Sequence, residues 1–163
     1  MKIAFIGLGI MGSRMVANLL KNNIAVTVWN RSKAPMEAAQ KLGATAAKTA
    51  EEAVQGADVV FSMLSTPEVV ELLFLGEKGL LKAMKKDTLW LDCSTVNPSF
   101  SKRVGAHALA EGIRFVDAPV AGSLPQAEAA ILQFFVGAED TTIAPVRACF
   151  CLLYTSPSPR DRG

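Results

Sequence analysis

The sequence is short of the residues that build disulfide frameworks, metal centres and tyrosine chemistry. Its three cysteines, Cys93, Cys149 and Cys151, are odd in number and lack a zinc-type spacing. A disulfide scaffold and a cysteine zinc site are therefore excluded. A single histidine, His107, excludes a histidine-rich metal centre, and no metal ligand set is expected. The only tyrosine, Tyr154, lies near the end of the chain, and Ser158 stands where a Tyr-x-x-x-Lys catalytic pair would need lysine. No apolar run approaches the ~20 residues of a membrane-spanning helix, so no membrane partner is expected. Neither sign of charge dominates: 17 basic and 15 acidic residues leave a formal +2. That balance gives no footing for non-specific nucleic-acid binding. At the N-terminus, Lys2 precedes an apolar stretch, but Gly7, Gly9, Gly12 and Arg14 interrupt it. The segment does not read as a secretory signal, and a cytoplasmic protein is expected.

What is present is a globular composition. Half of the 163 residues are apolar and 20% are charged, which is enough to build one core. Strand and helix signals alternate from the start. Lys2–Ile6 reads as a strand and Ile10–Leu20 as a helix, with Ile10, Val16, Leu19 and Leu20 on one face. Ala25–Asn30 alternates, placing Val26 and Val28 opposite Thr27 and Trp29. Pro35–Leu42 reads as a helix stopped by Gly43. Thr49 and Glu52 form a capping box for a short helix that Gly56 ends. Asp58–Leu64 is apolar after Asp58 apart from Ser62, as in a strand buried on both faces. Thr66-Pro67-Glu68 opens a further helix with a cap, a first-turn proline and a dipole-compatible acid. Thr88–Asp92 is a strand, and Pro98–Glu111 is a helix stacking Phe100, Val104 and Ala108. Arg114–Asp117 and Leu132–Val136 are further strands. The alternation predicts an α/β fold of Rossmann type: a doubly wound, mostly parallel sheet with helices on both faces.

Gly7-Leu8-Gly9-Ile10-Met11-Gly12 is G-x-G-x-x-G, placed after a strand and at the start of a helix. That is the context in which the motif binds a dinucleotide. Gly7 permits the tight turn, Gly9 lets the backbone approach a pyrophosphate, and Gly12 lets the helix pack closely. The helix N-terminus offers free N–H groups to the phosphates. An NAD site carries an acid about 20 residues further on, bonded to the ribose 2′-OH. Here the second strand ends in Asn30-Arg31-Ser32-Lys33. Asn30 stands in place of the acid and does not repel a 2′-phosphate. Arg31 can grip that phosphate bidentately, while Ser32 and Lys33 add a hydroxyl and a charge. NADP is the expected cofactor, with NAD possible. Taken alone, the motif also fits a plain glycine-rich turn, and Arg31 and Lys33 also fit solvated helix-leading residues.

Four stretches in order, GLGIMGSRMVANLL, VWNRSK, DCSTVNP and FVDAPVAGS, resemble the β-hydroxyacid dehydrogenase family over residues 1 to about 150. SLPQAE resembles the branch of glyoxylate and succinic semialdehyde reductases. The resemblance implies a hydride transfer between NADP and a small β-hydroxyacid or semialdehyde, such as 3-hydroxyisobutyrate, glyoxylate or succinic semialdehyde. It places Leu64, Ser65 and Thr95 along the cofactor. It places Ser94, Gly122 and Ser123 at a small carboxylate substrate. The family commonly has serine where Ala121 stands, which removes one donor. Ser94 and Thr95 also suit helix capping before Pro98. The resemblance further implies a homo-oligomer, a C-terminal all-helical domain and a catalytic lysine beyond the nucleotide domain. Neither that domain nor that lysine motif occurs in this sequence, so no catalytic residue is assigned and the chain itself is expected to be inactive. Residues 1–150 read as the NADP-binding domain. Residues 151–163 read as a disordered tail, and CLLYTSPSPRD is identical to a translated sequencing adapter, so the chain reads as truncated and its tail as non-native. A non-catalytic dinucleotide-binding module is the alternative. His107 is expected to pack as a structural residue, and Cys93 to be an inert buried hydrophobe.

Overall fold

The computed structural model describes residues 1–121, 125, 129, 133–134, 142 and 144. The expected tail and most of the last expected strand lie outside these residues. The elements run β1 (Ile3–Ile6), α1 (Ile10–Lys21), β2 (Thr27–Trp29), α2 (Lys33–Lys41), β3 (Thr45–Ala46), α3 (Ala50–Val54), β4 (Val59–Ser62), α4 (Pro67–Phe74), α5 (Leu80–Ala83), β5 (Leu89–Asp92), α6 (Pro98–Ala110) and β6 (Arg114–Asp117). A second, antiparallel pair joins β7 (Val120–Ala121) to β8 (Gln133–Phe134).

The six-stranded sheet has the order β3-β2-β1-β4-β5-β6. Every pairing within it is parallel. Because strand side chains alternate, each central strand feeds two cores. On one face Phe5, Val28, Phe61 and Leu91 pack with Met15, Val16 and Leu19 of α1 and Ala39 of α2. On the other, Ala4, Ile6, Val60 and Trp90 pack with α3, α4, α5 and α6. This is the doubly wound arrangement, and it explains why β1, β4 and β5 carry no exposed position.

Trp90 anchors the second core. It is fully buried. Its ring stacks on Phe74 at 4.0 Å and meets Phe115 edge-on at 4.8 Å. Its Nε1–H donates to Ser62 Oγ at 2.8 Å, so the indole's one polar group is satisfied.

Caps largely follow the sequence. Thr49 Oγ1 accepts from Glu52 N–H, and Glu52 returns a bond to the Lys48 amide rather than to Thr49 itself. Thr66 accepts from Val69 N–H. Gly43, Gly56 and Gly112 follow their helices with positive φ.

Four expectations are corrected. The cap of α6 is Asn97, whose Oδ1 accepts from Phe100 N–H at 2.8 Å, not Ser94 or Thr95. Helix α2 begins at Lys33, with Ser32 as its flanking residue. Ile10 does not join the buried face of α1 but is 67% exposed at its first position. His107 is exposed rather than packed, because Val104 and Ala108 take the inward positions of α6. Strand β3 and helix α5 were not expected; at two and four residues they are too short to show a period.

Replacing Trp90 by Ala is expected to cost about 3–5 kcal/mol, the range for deleting a buried aromatic. Urea denaturation monitored by far-UV circular dichroism measures it, and a loss below about 1 kcal/mol would contradict this anchoring role.

Candidate functional site

In a sheet of this order the winding reverses between β1 and β4, and a crevice opens at the carboxyl ends of those strands. The segment after β1 turns into that crevice. Gly7 adopts φ +102°, and its N–H donates to Trp29 O at 3.0 Å, tying the turn to β2. A Cβ on Gly7 would lie 2.3 Å from Met63 O, so only glycine fits both the backbone and the space. A Cβ on Gly12 would lie 2.2 Å from Gly7 O and 3.3 Å from the Phe5 ring. Helix α1 therefore sits directly on the turn.

Gly9 differs from both. Its φ of −69° suits any residue, and nothing lies within 4 Å of the place a Cβ would take. The protein itself does not require glycine there. The open space lies where α1 begins, and no side chain caps that helix and no acid occupies its first turn. Helices α3, α4 and α6 carry side-chain caps, whereas α2 and α5, like α1, do not. The free first-turn amides and the dipole of α1 are the fittings of an anion site. The residues present thus fit the diphosphate of a dinucleotide.

A cavity of about 270 Å³ adjoins this start, lined by Gly7, Gly9, Asn30, Arg31, Leu64 and Ser65 among others. Three separate segments of the sequence meet there. Asn30 joins two of them: its Oδ1 accepts from Leu8 N–H at 2.9 Å, and its Nδ2 donates to Ser32 O at 3.2 Å. Arg31 and Ser32 are exposed at the rim, and Lys33, also exposed, follows them at the start of α2 without lining this cavity. Among the described residues neither Arg31 nor Lys33 is paired with a carboxylate. Ile10 is exposed and Met11 half-buried at the start of α1. Thr95 is exposed just beyond β5. Val69, Leu72 and Leu73 of α4 complete the cavity wall and were missed from the sequence. A signal existed, since Leu72 is an apolar residue that α4 leaves 79% exposed. Gly122 and Ser123 lie outside the described residues.

Below the crevice lies a buried polar cluster. Asp92 ends β5 and is fully buried. Its Oδ1 accepts from Ser62 Oγ at 2.8 Å, from Ser94 Oγ at 2.6 Å and from Ser94 N–H at 3.2 Å. Its Oδ2 is buried without a partner among the described residues. Burial holds the Asp92 carboxyl above the usual range, opposed by the bonds from Ser94 and Ser62 and reinforced by the charge of Asp117. Asp117 pairs with Asp92 in register across β5 and β6. Burial raises its carboxyl too, with the Ser101 hydroxyl opposing. Cys93 is fully buried, and desolvation pushes its thiol well above the usual range, with the charges of Asp92 and Asp117 adding to the effect. An inert thiol is what that environment produces. Among the described residues no group of three or more potential ligands can hold a metal, and no helix is long and apolar enough to cross a membrane.

Comparison with known proteins bears on this geometry. The model of the NAD binding domain of 6-phosphogluconate dehydrogenase matches residues 2–153. The chain belongs to that family. It is 41% identical over 149 residues to the NAD-dependent L-serine dehydrogenase of Pseudomonas aeruginosa, covering 91% of this chain and 50% of that one. The solved Mycobacterium tuberculosis 3-hydroxyisobutyrate dehydrogenase with L-serine is 34% identical with a TM-score of 0.85, covering 94% of this chain and 52% of that one. A solved complex of Psf3 with NADP+ and 2-OPP is 26% identical with a TM-score of 0.88, covering 93% and 54%. The chain spans about half the length of the curated relatives it matches. The chain is thus a nicotinamide dinucleotide binding domain, and the relatives' names include both NAD and NADP.

Two outcomes are expected. Gly12→Ala is expected to destabilise the chain by about 1–3 kcal/mol through overpacking against Gly7 O. Gly9→Ala, with open space around it, is expected to cost less than about 1 kcal/mol, the scale of losing a favourable N-cap residue. Paired urea melts check both. The pH dependence of Asp117 follows from its raised carboxyl. The folded state holds the proton more tightly than the unfolded chain, so stability rises as pH falls from the folded pKa toward the ordinary 3.8. The amide introduced by Asp117→Asn does not titrate. Any advantage that variant has at pH 7 is therefore expected to shrink at about pH 4.5 in paired thermal melts; an advantage that grows would contradict the burial argument.

Proposed function

We propose that residues 1–150 form the NADP-binding half of a hydroxyacid dehydrogenase acting on a small β-hydroxyacid or semialdehyde of the 3-hydroxyisobutyrate, glyoxylate or succinic semialdehyde type. The observation that carries this reading is the Asn30–Lys33 stretch, whose Asn30, Arg31 and Ser32 line the cavity. An acid that would favour a ribose 2′-OH is replaced by Asn30, whose side chain is already used in bracing Leu8 to Ser32. Beside it stand two cations, Arg31 and Lys33, that pair with no carboxylate among the described residues. A 2′-phosphate supplies the negative charge that such a pair leaves unbalanced.

In this reading each part of the chain has a task. The first-turn amides of α1, at Ile10, Met11 and Gly12, hold the diphosphate, and Gly9 leaves it room. Arg31, Ser32 and Lys33 hold the 2′-phosphate. Leu64 and Ser65 form the wall opposite, and Thr95 borders the nicotinamide side. Gly122 and Ser123 take the substrate carboxylate. Bound in its reduced form the cofactor would supply the hydride for carbonyl reduction, and in its oxidised form would accept it from the hydroxyacid; in reduction a proton must also reach the developing alkoxide. Support for the reaction class comes from the relatives named dehydrogenases, at 41% and 34% identity.

The test is calorimetric titration of the chain with NADP+ and with NAD+, repeated on Arg31→Ala. Loss of one charged contact is worth about 1.5–3 kcal/mol, so the Kd for NADP+ should rise about 10- to 100-fold while that for NAD+ changes less than about twofold. An equal loss for both dinucleotides would overturn the NADP assignment.

A further inference from the structure

The buried cluster under the crevice is more than a satisfied core group. Its hydrogen bonds all run one way. On one branch Trp90 Nε1–H donates to Ser62 Oγ at 2.8 Å, and Ser62 donates to Asp92 Oδ1 at 2.8 Å. On the other, Leu64 N–H donates to Ser94 Oγ at 2.9 Å, and Ser94 donates to the same Oδ1 at 2.6 Å. Asp92 is the terminal acceptor of both, and each hydroxyl is polarised by the carboxyl it faces. The first branch ends in the core. The second ends on the backbone of the segment that follows β4. That segment carries the Met63 carbonyl against which Gly7 is set, and it contributes Met63, Leu64 and Ser65 to the dinucleotide cavity.

Ser94 is itself fully buried, with its hydroxyl used in both directions inside the protein. Its side chain stands behind the cavity wall. We infer that Ser94 is a positioning residue for the dinucleotide: anchored on Asp92, it fixes the Leu64–Ser65 turn at the distance from Gly7 and Gly9 that the cofactor requires. The inference rests on the dinucleotide reading of the crevice. It gives the motif Asp92-Cys93-Ser94 a task at the cofactor rather than at the substrate. Ser62 provides the internal control. It is equally buried and bonds the same carboxylate oxygen, but its hydroxyl does not bond the turn.

The experiment uses the full chain, NADP+ as the probe, and temperatures at which circular dichroism shows every variant folded. Ser94→Ala removes the acceptor for Leu64 N–H, and Ser94→Cys keeps the volume while supplying only a weak one. Both are expected to raise the Kd for NADP+ about tenfold, the scale of one lost buried hydrogen bond. Ser62→Ala is expected to leave Kd within about twofold even where it lowers the melting temperature as much. Amide hydrogen exchange gives the second readout: Leu64 should exchange about tenfold faster in the Ser94 variants and not in Ser62→Ala. Parent-like binding in both Ser94 variants, or equal weakening by Ser62→Ala, would overturn the inference. A parent chain that binds neither NADP+ nor NAD+ would instead overturn the functional reading. The Leu64 exchange comparison would then decide by itself whether Ser94 holds the turn.

Discussion

The backbone after β1 passes so close to its neighbours that side chains are excluded at two positions. Gly7 presses on the Met63 carbonyl, and Gly12 presses on the Gly7 carbonyl. Those approaches, with the Gly7 amide held on Trp29 O, lock β1, β2, β4 and α1 into one arrangement. The rest follows from it. With α1 seated on the turn, its uncapped end faces the crevice where the winding of the sheet reverses. With β2 tied to the turn, Asn30 reaches Leu8 and carries Arg31 to the cavity rim. Sterics here act as the register of the site, because a backbone contact cannot relax as a long side chain can.

The second constraint is electrostatic. Two carboxyls stand in register at the ends of β5 and β6, and burial raises both. One is satisfied at a single oxygen by two serines and a backbone amide, with its other oxygen unpartnered among the described residues. Such a cluster is costly unless its geometry is fixed. Here the geometry is fixed by Trp90 on one side and by the Leu64 amide on the other. The aromatic stack of the second core and the wall of the crevice therefore share one carboxylate oxygen.

Much of this fold was legible because its elements are long enough to show a period or are marked by caps. Strands β1, β4 and β5 show as apolar runs, and Phe100, Val104 and Ala108 mark the inner face of α6. The errors have a common cause. At Ile10 and His107 a residue's side chain falls near the border of a helical stripe, and neighbours decide whether it is covered. Asn97 escapes notice as a cap because Ser94 and Thr95 are chemically as good; backbone position alone selects it.

The sequence by itself determined the parallel layered architecture, the glycine turn and the Asn30–Lys33 stretch, because periodicity, glycine and charge are local properties. Tertiary structure alone decided which groups meet. That Asn30 braces Leu8, that α4 supplies Leu72 to the wall, and that Ser94 turns inward to Leu64 and Asp92 are facts of contact between segments far apart in the chain. No local pattern encodes them, since a serine at a strand end has the same propensity whether it faces a substrate or a buried carboxylate.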